Sequence, residues 1–351
     1  MKELVFLTPT STQPRYRKRI DSYKSKNINV KVFSFKRKHQ LINDFGITHN
    51  VHYLGFLEDG KYFKRFFILV KTFFGLKKTL KSNNNLYVFG LDLAFFSLFF
   101  LKNKKVILEI GDLRVSSNFL LNFLVNSFEK YVFNRIEKLV VTSSGFKNYY
   151  LERYPRITIE VKENKIKKED LKKYDYKSKI QLKAKNKNKI TIGVIGLLRY
   201  DSVIHLLNSY KDSLQFDIVL IGDGRLVKRI KEIENESNNI YYYGAFKNPD
   251  DLNVIYSLID FNYVVYDSKD INVQLALPNK LYESIYFNVP IIVSKNTFLW
   301  KQVKSLGIGL CVDDSQNEIE FNFEEKLKLE NLEKYKENIS KIEENYLIDK
   351  E

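Results

Sequence analysis

Lys280 and Glu283 stand three positions apart in the stretch 277–294, LPNKLYESIYFNVPIIVS, a spacing that puts an amine and a carboxylate on one face of a helix. Pro278 suits the first helical position, because its fixed φ is already helical and its missing N–H would have had no partner there. Leu281 and Ile285 fall on another face, as core residues do. Asn288 ends the helix in this reading, and the β-branched run Val289–Val293, with Pro290 near its start, reads as a short buried strand. A helix N-terminus of this kind attracts an anion such as a diphosphate through its free N–H groups and its dipole. Asn279 lies in that first turn, and Glu283, a turn further in, can accept hydrogen bonds from a sugar diol. The plainer alternative is that Lys280 and Glu283 form an exposed pair worth about 0.3–0.5 kcal/mol.

Other residues with useful chemistry sit just after apolar runs. Gly196-Leu-Leu-Arg199 closes one such run, so Gly196 and Arg199 fall at a strand end, where a guanidinium can hold a phosphate bidentately. A lone loop arginine is also ordinary surface. Gly222-Asp-Gly224 is a tight turn whose glycines serve the turn before any ligand. Gly244-Ala-Phe246 ends a third run and offers an apolar wall to a flat base. In the first half, the polar loop Thr8–Arg19, TPTSTQPRYRKR, carries Thr10 and Arg15 into a basic helix without any dinucleotide-binding glycine signature. Glu109-Ile-Gly-Asp112 closes another strand. Asp112 is the candidate acid facing a crevice there, or equally a residue that caps the next helix or orders its loop.

These positions need strands and helices to hold them. Runs at Leu4–Leu7, Val30–Phe35, Leu86–Phe89, Val106–Ile110 and Leu139–Thr142 alternate with helical patterns, and a second series follows at Ile190–Ile195, Phe216–Ile221, Ile240–Tyr243, Phe261–Val265, Val289–Val293 and Gly309–Val312. Strands separated by crossover helices imply parallel βαβ units and an α/β architecture of doubly wound sheets, which bind ligands at the carboxyl edge. A chain of 351 residues exceeds what one core usually supports. The predicted division is a first domain over 1–175, a basic linker over 176–189, a second domain over 190–322 and a long charged helix over 323–351, for which packing back on the first domain is one placement.

Composition narrows the classes. The single cysteine, Cys311, excludes an internal disulfide, and four histidines give no metal-ligand spacing, so no metal is expected and a reducing, cytoplasmic setting fits. The N-terminus runs into a strand instead of a cleavable apolar segment. The longest apolar run, Leu93–Leu101, is about half of the ~20 residues a spanning helix requires. A net charge of +16 argues for anionic company: nucleic acid, an acidic membrane surface or phosphorylated substrates. The run Tyr176–Lys189 has six lysines and no acid but no aromatic stacking pattern, so nucleic acid is not the expected partner. Lys61–Lys81 reads as an amphipathic helix interleaving phenylalanines with basic residues; it fits an anionic membrane surface, and equally a crossover helix packing its aromatics on a sheet.

Taken in order, Gly196-Leu-Leu-Arg199, Leu220-Ile-Gly-Asp-Gly224, Tyr243-Gly244, Pro278-Asn-Lys-Leu-Tyr-Glu283, Val289-Pro-Ile-Ile292 and Gly307-Ile-Gly309 resemble the donor-binding domain of GT-B glycosyltransferases, especially the large retaining family 4 of bacterial polysaccharide biosynthesis. The resemblance covers 189–313 and extends more loosely to Thr142-Ser-Ser-Gly-Phe146 and Asn164. It implies two Rossmann-like domains facing across a cleft, a nucleotide diphosphate sugar donor, no cofactor and no metal. It puts Glu283 on the ribose hydroxyls, Arg199 and Lys280 near the diphosphate, Gly196, Phe246, Pro278 and Asn279 around the donor, and Asp112 near the acceptor or the transferred sugar, with Thr10 and Arg15 on the acceptor side.

The implied activity is transfer of a sugar to a glycan or polyprenyl-linked acceptor of the capsule, O-antigen or exopolysaccharide type, at the inner face of the cell membrane. Three positions depart from the family pattern. Leu275 stands where a first glutamate precedes Glu283 by eight, Asp201-Ser202-Val203 replace a lysine after Arg199, and Gly111-Asp112 replace a His-Asp pair. Retention of configuration rests on the resemblance alone. A nucleotide-sugar epimerase of the same architecture and a polyanion-binding protein are the rival classes, the first needing acid/base groups that the sequence scarcely offers.

Overall fold

The computed structural model describes residues 3–37, 49–58, 61–80, 85–101, 105–113, 119–168, 171–172, 186, 188–314 and 327–349. Contacts divide the chain into two compact units, Met1–Glu163 and Asn164–Lys350.

The first unit runs β1 (Leu4–Thr8), α1 (Pro14–Ser25), β2 (Val30–Lys36), β3 (His52–Phe56), α2 (Tyr62–Thr79), β4 (Asn85–Phe89), α3 (Leu91–Phe100), β5 (Val106–Ile110), α4 (Phe119–Phe133), β6 (Lys138–Val141), α5 (Ser144–Arg153) and β7 (Ile159–Val161). Its strands form one parallel sheet in the order β3-β2-β1-β4-β5-β6-β7. The central strand β1, LVFLT, is buried at every position, the continuous apolar pattern of a parallel strand covered on both faces. On one face Phe6, Tyr87 and Phe89 pack with Tyr16 and Ile20 of α1. Strand order reverses between β1 and β4, so their carboxyl ends flank the switch point at which such sheets open a crevice. The Ser143 hydroxyl caps α5 by accepting from the Phe146 amide at 3.1 Å.

The second unit runs β8 (Ile166–Lys167), β9 (Ile190–Leu197), α6 (Ser202–Tyr210), β10 (Phe216–Asp223), α7 (Val227–Asn235), β11 (Ile240–Tyr242), α8 (Leu252–Ser257), β12 (Phe261–Val264), α9 (Ile271–Leu275), α10 (Asn279–Tyr286), β13 (Ile291–Ser294), α11 (Phe298–Leu306), β14 (Gly309–Val312), α12 (Leu329–Ser340), α13 (Glu344–Leu347) and β15 (Ile348–Asp349). Six strands form a parallel sheet ordered β11-β10-β9-β12-β13-β14, with its switch point between β9 and β12. Alternate residues of β9 and β10 feed two cores: Ile192, Val194, Ile218 and Leu220 on one side of the sheet, Ile195, Val219 and Ile221 on the other. Gly196 and Gly222 are register partners at the carboxyl edge. A Cβ on Gly222 would stand 1.7 Å from the Gly196 carbonyl oxygen, at a φ of +151°, so close strand packing inside β10, and not a turn, dictates this glycine.

The architecture is the expected α/β one of two Rossmann-like, doubly wound domains, and the differences lie at its margins. The units meet at Glu163/Asn164 instead of at a linker over 176–189, because Ile166 is already buried in the second unit's core and β8 pairs with β15. Most of the linker assignment lies outside the described residues. In the C-terminal stretch, Leu332 and Ile339 of α12 sit in the two cores of the second unit. Pro278 is the N-cap of α10, in extended conformation, and not its first helical residue. β13 starts after Pro290, which has no N–H for the ladder but accepts from the Asn262 amide at 2.9 Å. Strands β3 and β7 have no counterpart in the sequence reading. β3, HYLGF, is an edge strand with mostly exposed side chains and so lacks an apolar signature.

Candidate functional site

In the second unit the candidate donor residues converge at the carboxyl edge of the sheet. α10 follows β12 in the crossover to β13, which brings its N-terminus to that edge. Leu281 N–H donates to the Pro278 carbonyl at 3.1 Å, whereas the Asn279 and Lys280 N–H groups ahead of it precede the first intrahelical acceptors, and Pro278 offers no side-chain cap. Lys280 and Glu283 are not an exposed pair: they are only 6% and 3% exposed, and Lys280 Nζ donates to Glu283 Oε2 at 2.7 Å. The Tyr256 hydroxyl donates to the same oxygen at 3.0 Å, and Asn279 Nδ2 donates to Oε1 at 2.5 Å. Tyr256 is itself held by Asn262 Nδ2 at 3.2 Å, and Asn262 also donates to Ser284 Oγ at 2.8 Å. Burial first, then the Glu283 carboxylate, pushes the Tyr256 phenol well above its ordinary value and keeps it a donor.

The lysine is aimed by its surroundings. Its Nζ lies 5.6 Å from the centroid of the Phe246 ring, a cation–π contact, and its Cε passes 3.7 Å from where a Cβ on Gly196 would stand. Gly196, Phe246, Asn279, Lys280 and Glu283 therefore form one cluster under the N-cap Pro278. Arg199 stays apart from the pair. It is exposed, its Nη2 donates to the Tyr200 hydroxyl at 2.6 Å, and Tyr200 stacks on Tyr266 at 4.7 Å. Burial raises the Tyr266 phenol, Tyr200 and Glu283 raise it further and Arg199 lowers it, so this ring lies within electrostatic reach of both Glu283 and Arg199.

In the first unit a cavity of about 250 Å³ is lined by Arg15, Tyr16, Arg37, Glu109, Gly111, Asp112, Glu129 and Tyr150, among others. Arg15 covers Gly111 so closely that a Cβ there would stand 1.4 Å from Nη1. Glu109, 1% exposed, is the carboxylate that organises the wall: Oε2 accepts from Arg19 Nε at 3.0 Å and from the Tyr87 hydroxyl at 2.5 Å, while Oε1 lies 3.6 Å from Arg15 Nε. Burial alone would lower the Arg15 pKa; Glu109, Tyr16 and Asp112 outweigh it and hold the group above its ordinary value. Asp112 is exposed on the rim. Thr10 is buried beside this region, sharing a 2.9 Å hydrogen bond with Thr12, and is not among the lining residues. Among the described residues no group of three or more His, Cys, Asp or Glu side chains can hold a metal ion, and no helix is long and apolar enough to cross a membrane.

The sequence reading missed Tyr256 and Asn262, and it placed the Glu109 carboxylate at the carboxyl edge but chose Asp112 over it as the candidate acid. Tyr256 and Asn262 carry no local signal, since only the fold brings α8 and β12 against α10. Glu109 lies inside the quoted Glu109–Asp112 turn, and strand alternation from buried Leu108 and Ile110 gives no warning that it too is enclosed.

No family model matches the chain, and no curated protein matches it. Solved structures do. A sucrose-phosphate synthase from Thermosynechococcus elongatus superposes with a TM-score of 0.71 at 14% identity, covering 97% of this chain and 94% of that one. Anabaena HepE in complex with UDP superposes with a TM-score of 0.70 at 13% identity over 97% and 93%. The lipopolysaccharide outer core galactosyltransferase WaaB gives 0.60 at 13% identity over 90% and 87%. The chain has the fold of these proteins, the GT-B fold of glycosyltransferases.

Proposed function

We propose that this chain moves a sugar from a nucleotide diphosphate sugar to a glycan acceptor, lipid-linked and of the capsule, O-antigen or exopolysaccharide type, with retention of configuration and without a metal. The observation that carries this reading is the buried Lys280–Glu283 pair at the N-terminus of α10, beside Gly196 at the carboxyl edge of the second sheet. An amine, a carboxylate and unpaired helix N–H groups at one place match a ribosyl diphosphate group by group. HepE has been captured with UDP and with UDP-glucose, which supports a uridine nucleotide as the donor.

Departure of the nucleotide builds negative charge on its diphosphate. Lys280, Arg199 and the first-turn N–H groups of α10 stabilise that charge as preorganised dipoles and cations. Gly196 leaves the phosphates room to approach the backbone. Glu283 takes the ribose hydroxyls through Oε1 once the Asn279 amide turns away, one hydrogen bond exchanged for another. Phe246 flanks the donor. On the acceptor side Asp112 and Arg15 line the first unit's cavity, and Thr10 supports its loop.

Arg199 gives the cleanest test, because it is exposed and its loss leaves no buried group unpaired. Arg199→Ala is expected to lower nucleotide release from the accepted donor by about 10²–10³-fold, the range for one lost charge-stabilising group, with an unchanged melting temperature. Full turnover by Arg199→Ala would remove this residue from the reaction. Release of nucleotide from no donor, in the presence of a membrane extract as acceptor source, would overturn the proposal.

A further inference from the structure

One face of the first unit's sheet carries α2, α3 and α4 packed side by side. The inner side of α2 is ordinary: Leu69, Phe73 and Leu76 are buried. Its opposite side is not. Lys64, Phe67, Lys71, Phe74 and Lys78 recur at alternating spacings of three and four, which aligns them in one stripe along the helix. All five are exposed, with Phe67 at 69% and Phe74 at 57%.

A helix covering a sheet normally turns polar groups outward, so two phenyl rings at the centre of the outer stripe need an occupant. The apolar surface continues beyond α2. Phe74 meets Phe100 at 4.8 Å, Phe100 meets Phe99 of the same helix at 5.0 Å, and on α4 Phe123 and Phe128 are exposed.

Charge decides what fits. α2 carries five basic residues and no acidic one. Lys64 and Arg65 pair with Glu58 and Asp92, whereas Lys71, Lys77 and Lys78 have no ion-pair partner among the described residues. A second copy of the chain docked face to face would oppose like charges across a two-fold axis. Protein interfaces are depleted of lysine at their centres. An anionic bilayer accepts both features: the rings enter the boundary of the acyl region, and lysines extend their amines to the headgroup phosphates.

We propose that the outer face of α2, continued by α3 and α4, docks on an anionic lipid bilayer. This surface is separate from the donor cluster, and nucleotide binding read on the same samples keeps the two inferences distinguishable. The test is cosedimentation of the full chain with vesicles of phosphatidylcholine alone or mixed with phosphatidylglycerol. The expected result is binding to the anionic vesicles and little to the neutral ones. Phe67→Ser/Phe74→Ser should lower that partition by about tenfold or more at an unchanged melting temperature, since both rings are already in solvent. Lys71→Glu/Lys78→Glu should lower it by at least about fivefold for each lysine lost. Absence of wild-type binding to anionic vesicles would overturn the proposal. So would partition unaffected by both double variants, or a wild-type dimer in sedimentation that Phe67→Ser/Phe74→Ser converts to monomer without any change in lipid binding.

Discussion

Glu283 satisfies three donors where solvent scarcely reaches, so the residue proposed to hold the donor also holds α10 in place. Removing its cation alone leaves a buried carboxylate uncompensated. Lys280→Ala is therefore expected to destabilise the protein by about 3–5 kcal/mol, measured by chemical denaturation. Lys280→Met/Glu283→Gln replaces the pair by groups of similar volume, the glutamine oxygen still accepting from Tyr256 and its N–H2 donating to the Asn279 amide oxygen once that amide flips, and should recover most of that loss while binding no nucleotide. Equal instability of the single and double variants would mean that packing, and not charge, holds α10 in place. The i,i+3 spacing of Lys280 and Glu283 was visible in the sequence, but their burial was not. Burial arises because Tyr256 and Asn262 arrive from α8 and β12, and a one-dimensional pattern has no term for such arrivals. Arg199 shows the converse: its strand-end position was legible, while its stacking on Tyr200 and separation from the pair depend on loop geometry.

Elements were legible wherever both faces of a strand are covered. β1, β5, β9 and β10 read as apolar runs because helices pack on each side, and β5 and β14 have the ends the sequence reading gave them. The edge strand β3 was not legible, since it exposes most of its side chains, and the two-residue β8 and β15 have too few positions to make a pattern. Glycines at the carboxyl edges are where element packing is least forgiving. Gly222→Ala forces a methyl against the Gly196 carbonyl, so β9 and β10 must separate at their ends. A loss of about 1–3 kcal/mol in stability is expected, with nucleotide affinity weakened because Gly196 moves. A Gly222→Ala protein as stable as the wild type would show that this strand pair has slack.

The whole molecule buries tyrosines beside carboxylates in both units. Burial first, then Glu109, Glu129 or Glu283, holds Tyr87, Tyr150 and Tyr256 well above the ordinary tyrosine value of 10.0. A folded-state pKa raised above the unfolded one gives stability that is fully present below pH 10 and lost as pH rises through the folded values. Thermal midpoints should thus fall steeply above pH 10, with the tyrosinate absorbance of these buried rings appearing together with unfolding; ionisation of all 23 tyrosines in a still-folded protein would contradict this. Two doubly wound units, a net charge of +16 and a buried amine–carboxylate cluster at the second sheet's edge fit one account, in which that cluster is a donor site. Its most direct test is the melting temperature of the purified protein with UDP, GDP, ADP and CMP, since a ligand that binds only the folded state raises apparent stability. The account predicts a rise with one diphosphate nucleotide, lost in Lys280→Met/Glu283→Gln. No rise with any nucleotide, alongside a rise with heparin or DNA, would contradict it and make the chain a binder of polyanions.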